Sequence, residues 1–170
     1  MNTPVIFSEK QRFNQGWLWL ILMATVGITI FTFIQKLPQK TIVGISTNAL
    51  WDLFWSLLPL ILIVVFIFSI RLTTQIKEEG IYVKLFPIQF KFLFFPWEQL
   101  EKVYVRKYAP IREYGGWGLR LGIFGSGKAY NIKGNKGLQL VLKDGEKLLI
   151  GTQMPEALEH TLISMDRQRI

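Results

Sequence analysis

The residues best equipped for chemistry in this chain lie between positions 112 and 136. Arg112, Arg120, Lys128, Lys133 and Lys136 are interleaved there with Tyr114, Trp117 and Tyr130. Cationic groups beside aromatic faces can neutralise and stack on an anionic ligand. Gly115, Gly116 and Gly118 in the same stretch let the backbone bend or come close to a partner. The same residues also admit an architectural reading: a bulged glycine turn, Trp117 plugging the core, and a solvated row of cations.

Other chemistry finds little footing. The chain has no cysteine, which removes thiol catalysis, disulfides and thiolate metal sites. Its single histidine, His160, falls in a predicted terminal helix away from the apolar stripe, without the companions a zinc site needs. No HExxH, GxSxG or P-loop is present. Gly125-Ser126-Gly127-Lys128 lacks the P-loop spacing and reads as a turn. Glu98 and Glu101 read as solvated acids on a short helical turn rather than a carboxylate pair. The expectation is a protein that is not an enzyme and that carries no cofactor and no metal.

The elements that position residues 112–136 are short and alternating. Ile81, Val83 and Leu85 share one face, and Ile88, Phe90, Phe92 and Phe94 share another with Gln89 and Lys91 opposite, the pattern of half-buried strands. Glu79-Gly80 predicts a tight turn from a strand over residues 72–77. Further strands are expected over residues 102–108, ended by Pro110, then 117–124, 129–133, a strand carrying Leu138, Leu140 and Leu142, and 146–150. Asp144-Gly145 is the strongest hairpin signal. Pro155 opens a helix whose Leu158, Leu162 and Met165 form one apolar stripe. This gives seven or eight antiparallel strands and a helix able to cover the open end of a curved sheet or small barrel.

Upstream, the composition changes. Residues 17–34 and 53–70 are two uncharged apolar runs of eighteen residues each. Each makes a helix of about 27 Å, close to the roughly 30 Å hydrocarbon core of a bilayer. No small-residue cleavage site follows the first run, so a retained helix is expected rather than a signal peptide. The connector, residues 35–48, is short enough for an antiparallel pair. Trp17, Trp19, Trp51 and Trp55 lie near the helix ends, where interfacial anchoring is expected. Pro59 is expected to bend the second helix for packing, and Asp52 to lie at its solvated edge. The expected division is residues 1–16 as an N-terminal segment, 17–71 as two transmembrane helices (17–35 and 50–71), and 72–170 as the folded domain.

The stretch Arg112-Glu-Tyr-Gly-Gly-Trp-Gly-Leu-Arg120, the stretch Ala129-Tyr-Asn-Ile-Lys-Gly-Asn-Lys-Gly137, the hairpin after it and Gly151-Thr-Gln-Met-Pro155 resemble the pleckstrin-homology-like (PH-like) domains of small bacterial two-helix membrane proteins. The resemblance covers nearly the whole chain. It implies an α+β membrane protein, with an N-terminal transmembrane helical hairpin and a PH-like curved antiparallel sheet or barrel capped by a C-terminal helix. It implies no settled activity.

Charge points to location and partners. Lys10, Arg12, Arg71, Lys77 and Lys84 flank the helices on the terminal sides, five cations against Lys36 and Lys40 in the connector. That asymmetry places both termini in the cytoplasm, at a bacterial inner membrane crossed twice. Residues 72–170 hold fifteen Lys and Arg against ten Asp and Glu. Next to an anionic leaflet each such cation gains about 1 kcal/mol, so proximity to the bilayer accounts for the charge and no nucleic acid is expected. Two readings follow. One is a non-catalytic module contacting a membrane protein partner or its own homo-oligomer. The other is recognition of anionic lipid headgroups through Arg112, Tyr114, Trp117, Arg120, Lys128, Tyr130, Lys133 and Lys136.

Overall fold

The computed structural model describes residues 4–13, 16–36, 47–122 and 125–168. They form an α+β protein of two compact units. One unit is residues 14–68, the two apolar helices. The other joins residues 1–13 to residues 69–170. The expected connector lies mostly outside the described residues.

Helices α1 (Gly16–Lys36) and α2 (Thr47–Ser69) are long and apolar enough to cross a membrane. Trp19, early in α1, packs on Phe68, late in α2, with ring centroids 5.3 Å apart. Four of their hydroxyls are satisfied within the helices. Thr25 donates to the carbonyls of Ile21 and Leu22, Thr29 to Thr25, Thr32 to Thr29 and Ser56 to Leu53. Such back-bonding lets a hydroxyl sit on an apolar helix without water. Pro59 lies inside α2, and Asp52 is exposed.

The second unit begins with an element that the sequence pattern does not announce. Val5–Arg12 is a strand, β1. It pairs antiparallel with β2 (Arg71–Lys77), which follows the second helix, from Arg12 opposite Arg71 to Val5 opposite Lys77. β2 pairs with β3 (Gly80–Phe86) through a turn at Glu78-Glu79, one residue before the expected Glu79-Gly80, and β3 with β4 (Leu93–Pro96), completing a four-stranded sheet. Gly80 sits at φ +156°, and a side chain there would collide with the Phe95 carbonyl.

After a short 3-10 turn at Trp97–Gln99 come β5 (Leu100–Lys107), α3 (Pro110–Tyr114), β6 (Gly118–Leu121), β7 (Lys128–Asn131), β8 (Lys136–Leu142) and β9 (Lys147–Gly151). They make a five-stranded sheet in the order β5-β8-β9-β7-β6. Within it β7 runs parallel to β9, an exception to the expected all-antiparallel arrangement. The Asp144-Gly145 hairpin forms as expected. Its loop is a three-residue one, with the Gly145 N–H donating to Leu142 and Gly145 at φ +86°. Helix α4 (Pro155–Ser164) closes the chain.

Leu72, Ile76, Ile81, Val83 and Leu85 from the first sheet meet Leu100, Val103, Leu138, Leu140 and Ile150 from the second, with Leu158 and Leu162 of α4, in one buried core. The stripe expected in the last helix is therefore its packing face. Among the described residues the two sheets stay separate ladders, and no closed barrel forms.

Two expectations change. Of the strand expected over residues 88–95, only Leu93–Pro96 forms, and Ile88, Phe90, Phe92 and Phe94 face solvent instead of the core. Gln89 decides this orientation. Its backbone N–H donates to the Leu85 carbonyl at 2.7 Å, and its side-chain amide reaches the Tyr130 hydroxyl at 3.0 Å. The polar residue turns inward and its apolar neighbours turn out. The strand expected over residues 117–124 is limited to Gly118–Leu121, while Phe124 and its predecessor lie outside the described residues.

Candidate functional site

Residues 112–136 are held by α3, β6 and β7 and the turns between them. α3 is set by its own ends. Pro110 occupies the first turn, and Gly115 at φ +69° closes the helix by donating to Ile111. The Glu113 carboxylate accepts from the Ala109 N–H at 2.7 Å and from Arg106 at 2.8 Å. Arg106 in turn donates to Gln139 at 2.9 Å and to the Tyr114 hydroxyl at 3.3 Å. The Tyr114 hydroxyl in turn donates to the Ser126 carbonyl at 3.0 Å. Beyond the helix, buried Asn131 accepts from the Gly118 N–H at 2.9 Å and fixes the glycine-rich bend.

The electrostatics of this network are those of a closed structural cluster. Burial works against the charge on Glu113, but the hydrogen bonds from Arg106 and the Ala109 N–H outweigh it and hold the carboxyl below its ordinary value of 4.5. Burial likewise works against Arg106, and Glu113 more than offsets it, so the guanidinium is held more tightly charged. Burial pushes the Tyr114 hydroxyl up, and that of neighbouring Tyr108 up to about 12. None of these shifts yields a base or a nucleophile near neutral pH.

The eight candidate residues do not converge. Tyr114 and Tyr130 are core residues, 2% and 5% exposed, with their hydroxyls occupied by Arg106 and Ser126 and by Gln89 respectively. Trp117 is half-buried. Its indole N–H donates to the Gly134 carbonyl at 3.2 Å, and it lies outside the buried core. Arg112, Arg120, Lys128, Lys133 and Lys136 are exposed. Arg120 folds back onto the Trp117 carbonyl at 3.0 Å. Lys128 pairs with Glu146 at 3.4 Å, beside the Gly145 turn. Lys133 and Lys136 lie beyond the other end of β7, and Lys136 pairs with Glu156 at 3.0 Å. Lys128 opens β7, whereas Lys133 and Lys136 follow its last residue, Asn131. The cations thus split between two ends of the sheet.

The remaining candidates resolve simply. His160 is exposed on α4, Glu98 and Glu101 are exposed, and Gly125 to Lys128 leads into β7. Among the described residues no group of His, Asp and Glu is arranged to hold a metal ion.

Two groups of polar residues escaped the sequence reading. Glu9 and Gln11 of β1 are buried. Glu9 accepts from Thr152 at 2.6 Å and from the Gln153 N–H at 2.7 Å, while Gln11 donates to the Gly151 carbonyl at 2.6 Å. They clasp the N-terminal strand to the end of β9 and the start of α4. Their sequence signal was the alternation of Phe7, Glu9 and Gln11, obscured because two of the three inward residues are polar. The second group is Arg106 with Glu113, seven positions apart across Pro110. No protein-family model matches the chain, and no curated protein matches it either.

Proposed function

We propose that this protein is a non-catalytic, membrane-anchored module with a PH-like β-domain, which mediates protein interaction or self-assembly at the bilayer. The observation that carries the proposal is strand β6. It is the last strand in the order of the five-stranded sheet, and Leu119 and Leu121 on it are 38% and 77% exposed. An edge strand with exposed leucines is a template for one more strand from another chain. The candidate segment thus offers a polypeptide-binding edge more readily than a headgroup pocket, since its cations are dispersed and two of them are paired with glutamates.

The anchoring part of the proposal draws support from topology. β1 precedes α1, β2 follows α2, and the two strands are neighbours. A membrane crossed by α1 must then be crossed back by α2. With the positive flanks on the terminal sides, the β-domain lies in the cytoplasm of a bacterium, against the inner membrane. Two sheets over a common core with a C-terminal helix suit a PH-like domain.

The test uses the full chain in nanodiscs. Cross-linking from Leu121→Cys, the sole thiol in such a protein, captures a second copy or a stoichiometric partner, and Leu121→Lys abolishes the association seen for the parent. A parent that sediments as a monomer and retains no partner on affinity purification sinks the proposal.

A further inference from the structure

The β3–β4 connection carries a second surface, independent of β6. Ile88, Phe90, Phe92, Leu93 and Phe94 are all exposed, Phe90 at 72%. Phe90, Phe92 and Phe94 join a ladder of contacts with Phe86, Lys84 and Tyr82 on the sheet face away from the core, whereas Leu93 pairs with core-facing Val83. Phe90 meets Phe86 edge-on at 5.6 Å, Phe92 lies under the Lys84 ammonium at 5.4 Å, and Phe94 stacks on Tyr82 at 4.6 Å. The loop is pinned from within by the two hydrogen bonds of Gln89, so its aromatic side is held outward rather than left to collapse.

The register shows from which end of the sheet this surface springs. Phe86 lies opposite Arg71, and Arg71 opposite Arg12. Immediately beyond them Phe13 donates its N–H to the Ile70 carbonyl at 3.4 Å, where the chain departs for α1 and returns from α2. The aromatic loop therefore springs from the same end of the sheet as both covalent connections to the apolar helices. The opposite end, the Glu78-Glu79 turn, lies roughly 20 Å away along β2. Aromatic and aliphatic tips beside Arg12, Arg71, Lys84 and Lys91 match the chemistry of the headgroup–acyl boundary, where aromatic rings settle and lysine stems let their ammonium groups reach the phosphates.

We propose that residues 88–92 form an interfacial loop that inserts into the membrane in which α1 and α2 are anchored, holding the four-stranded sheet against the bilayer by its aromatic end. This rests on the anchoring reading above. It assigns the occupant of the aromatic surface as lipid.

The chain's lack of cysteine makes the test direct. Phe90→Cys, Ile88→Cys and, as a control, Glu78→Cys are each introduced into the full chain and reconstituted into vesicles of mixed zwitterionic and anionic lipid. A membrane-impermeant maleimide should modify positions 88 and 90 about tenfold or more slower than position 78. An environment-sensitive fluorophore at position 90 should be quenched by lipids spin-labelled near the headgroup. Equal rates at 90 and 78, with no quenching, overturn the proposal. So does slow modification that recovers when the protein is diluted into excess lipid, because a second copy would then be covering the loop. Extraction by alkaline carbonate is scored separately. A chain that washes off has lost the anchoring reading, whereas one that stays while position 90 reacts freely has lost only the interfacial loop.

Discussion

Residues 88–94 and residues 112–136 both interleave aromatic residues with cations, and they meet opposite fates. In the second segment Tyr114 and Tyr130 turn into the core and the cations are left outside. In the first, Gln89 turns in and the aromatic residues are left outside. The difference is a matter of hydrogen bonds. A phenol carries a polar tip that can be satisfied inside, as Tyr114 is by Ser126 and Arg106, and so it can be buried at little polar cost. A phenylalanine next to a glutamine has no such claim when the glutamine finds a buried partner first. Aromatic content therefore does not mark a ligand site here, and the orientation of the polar neighbour decides which surface is exposed.

The contrast can be broken at its strongest point. Leu140→Ala in the shared core should destabilise the β-unit by about 2–5 kcal/mol. Phe90→Ala should stay within about 0.5 kcal/mol of the parent despite removing a larger side chain. Denaturant titration of the full chain in detergent, followed by near-ultraviolet circular dichroism, measures both, and equal losses would show that Phe90 is packed rather than presented.

Next in size is the clasp on β1. Glu9→Ala leaves the Thr152 hydroxyl and the Gln153 N–H without their acceptor and should cost about 1–3 kcal/mol. The same titration reads it, and amide exchange should rise along β1 before it rises in β5 or β8.

A smaller effect sharpens the electrostatic side. Glu113→Gln should cost about 1 kcal/mol near neutral pH. The folded carboxyl titrates below its unfolded value of 4.5, so its contribution is fully present above that pH. It is lost as the pH falls from 4.5 through the lower folded value. The variant should accordingly show a flatter decline of stability with acid than the parent, and parallel declines would remove Glu113 from the account. Smallest of all, Lys128→Ala and Lys136→Ala should each shift stability by less than about 0.5 kcal/mol, since both pairs are exposed.

Much of the fold was legible in the sequence. The two helices, β2, β3, the β8–β9 hairpin and α4 each declare themselves by a run, a period or a turn residue that local physics enforces. β1 was not legible, because Glu9 and Gln11 occupy the inward positions where apolar residues announce a strand, and their partners lie more than a hundred positions away. The parallel pairing of β7 with β9 was hidden for the same reason, since pairing partners are non-local. The candidate cations are exposed, as their charge suggests, but nothing in spacing says that Lys128 opens β7 while Lys133 lies beyond its other end. Alternation over residues 88–94 was visible too, yet alternation names two faces without saying which one meets water.

The pairing of β1 with β2 also sets a timetable for synthesis. Arg12 leaves the ribosome fifty-nine residues ahead of the Arg71 it must lie beside. At about 5–20 residues per second, the first strand waits roughly 3 to 12 s without a partner. Both apolar helices emerge during that interval. The four-stranded sheet therefore closes only after both helices have been made, and its first strand is held in reserve through their synthesis.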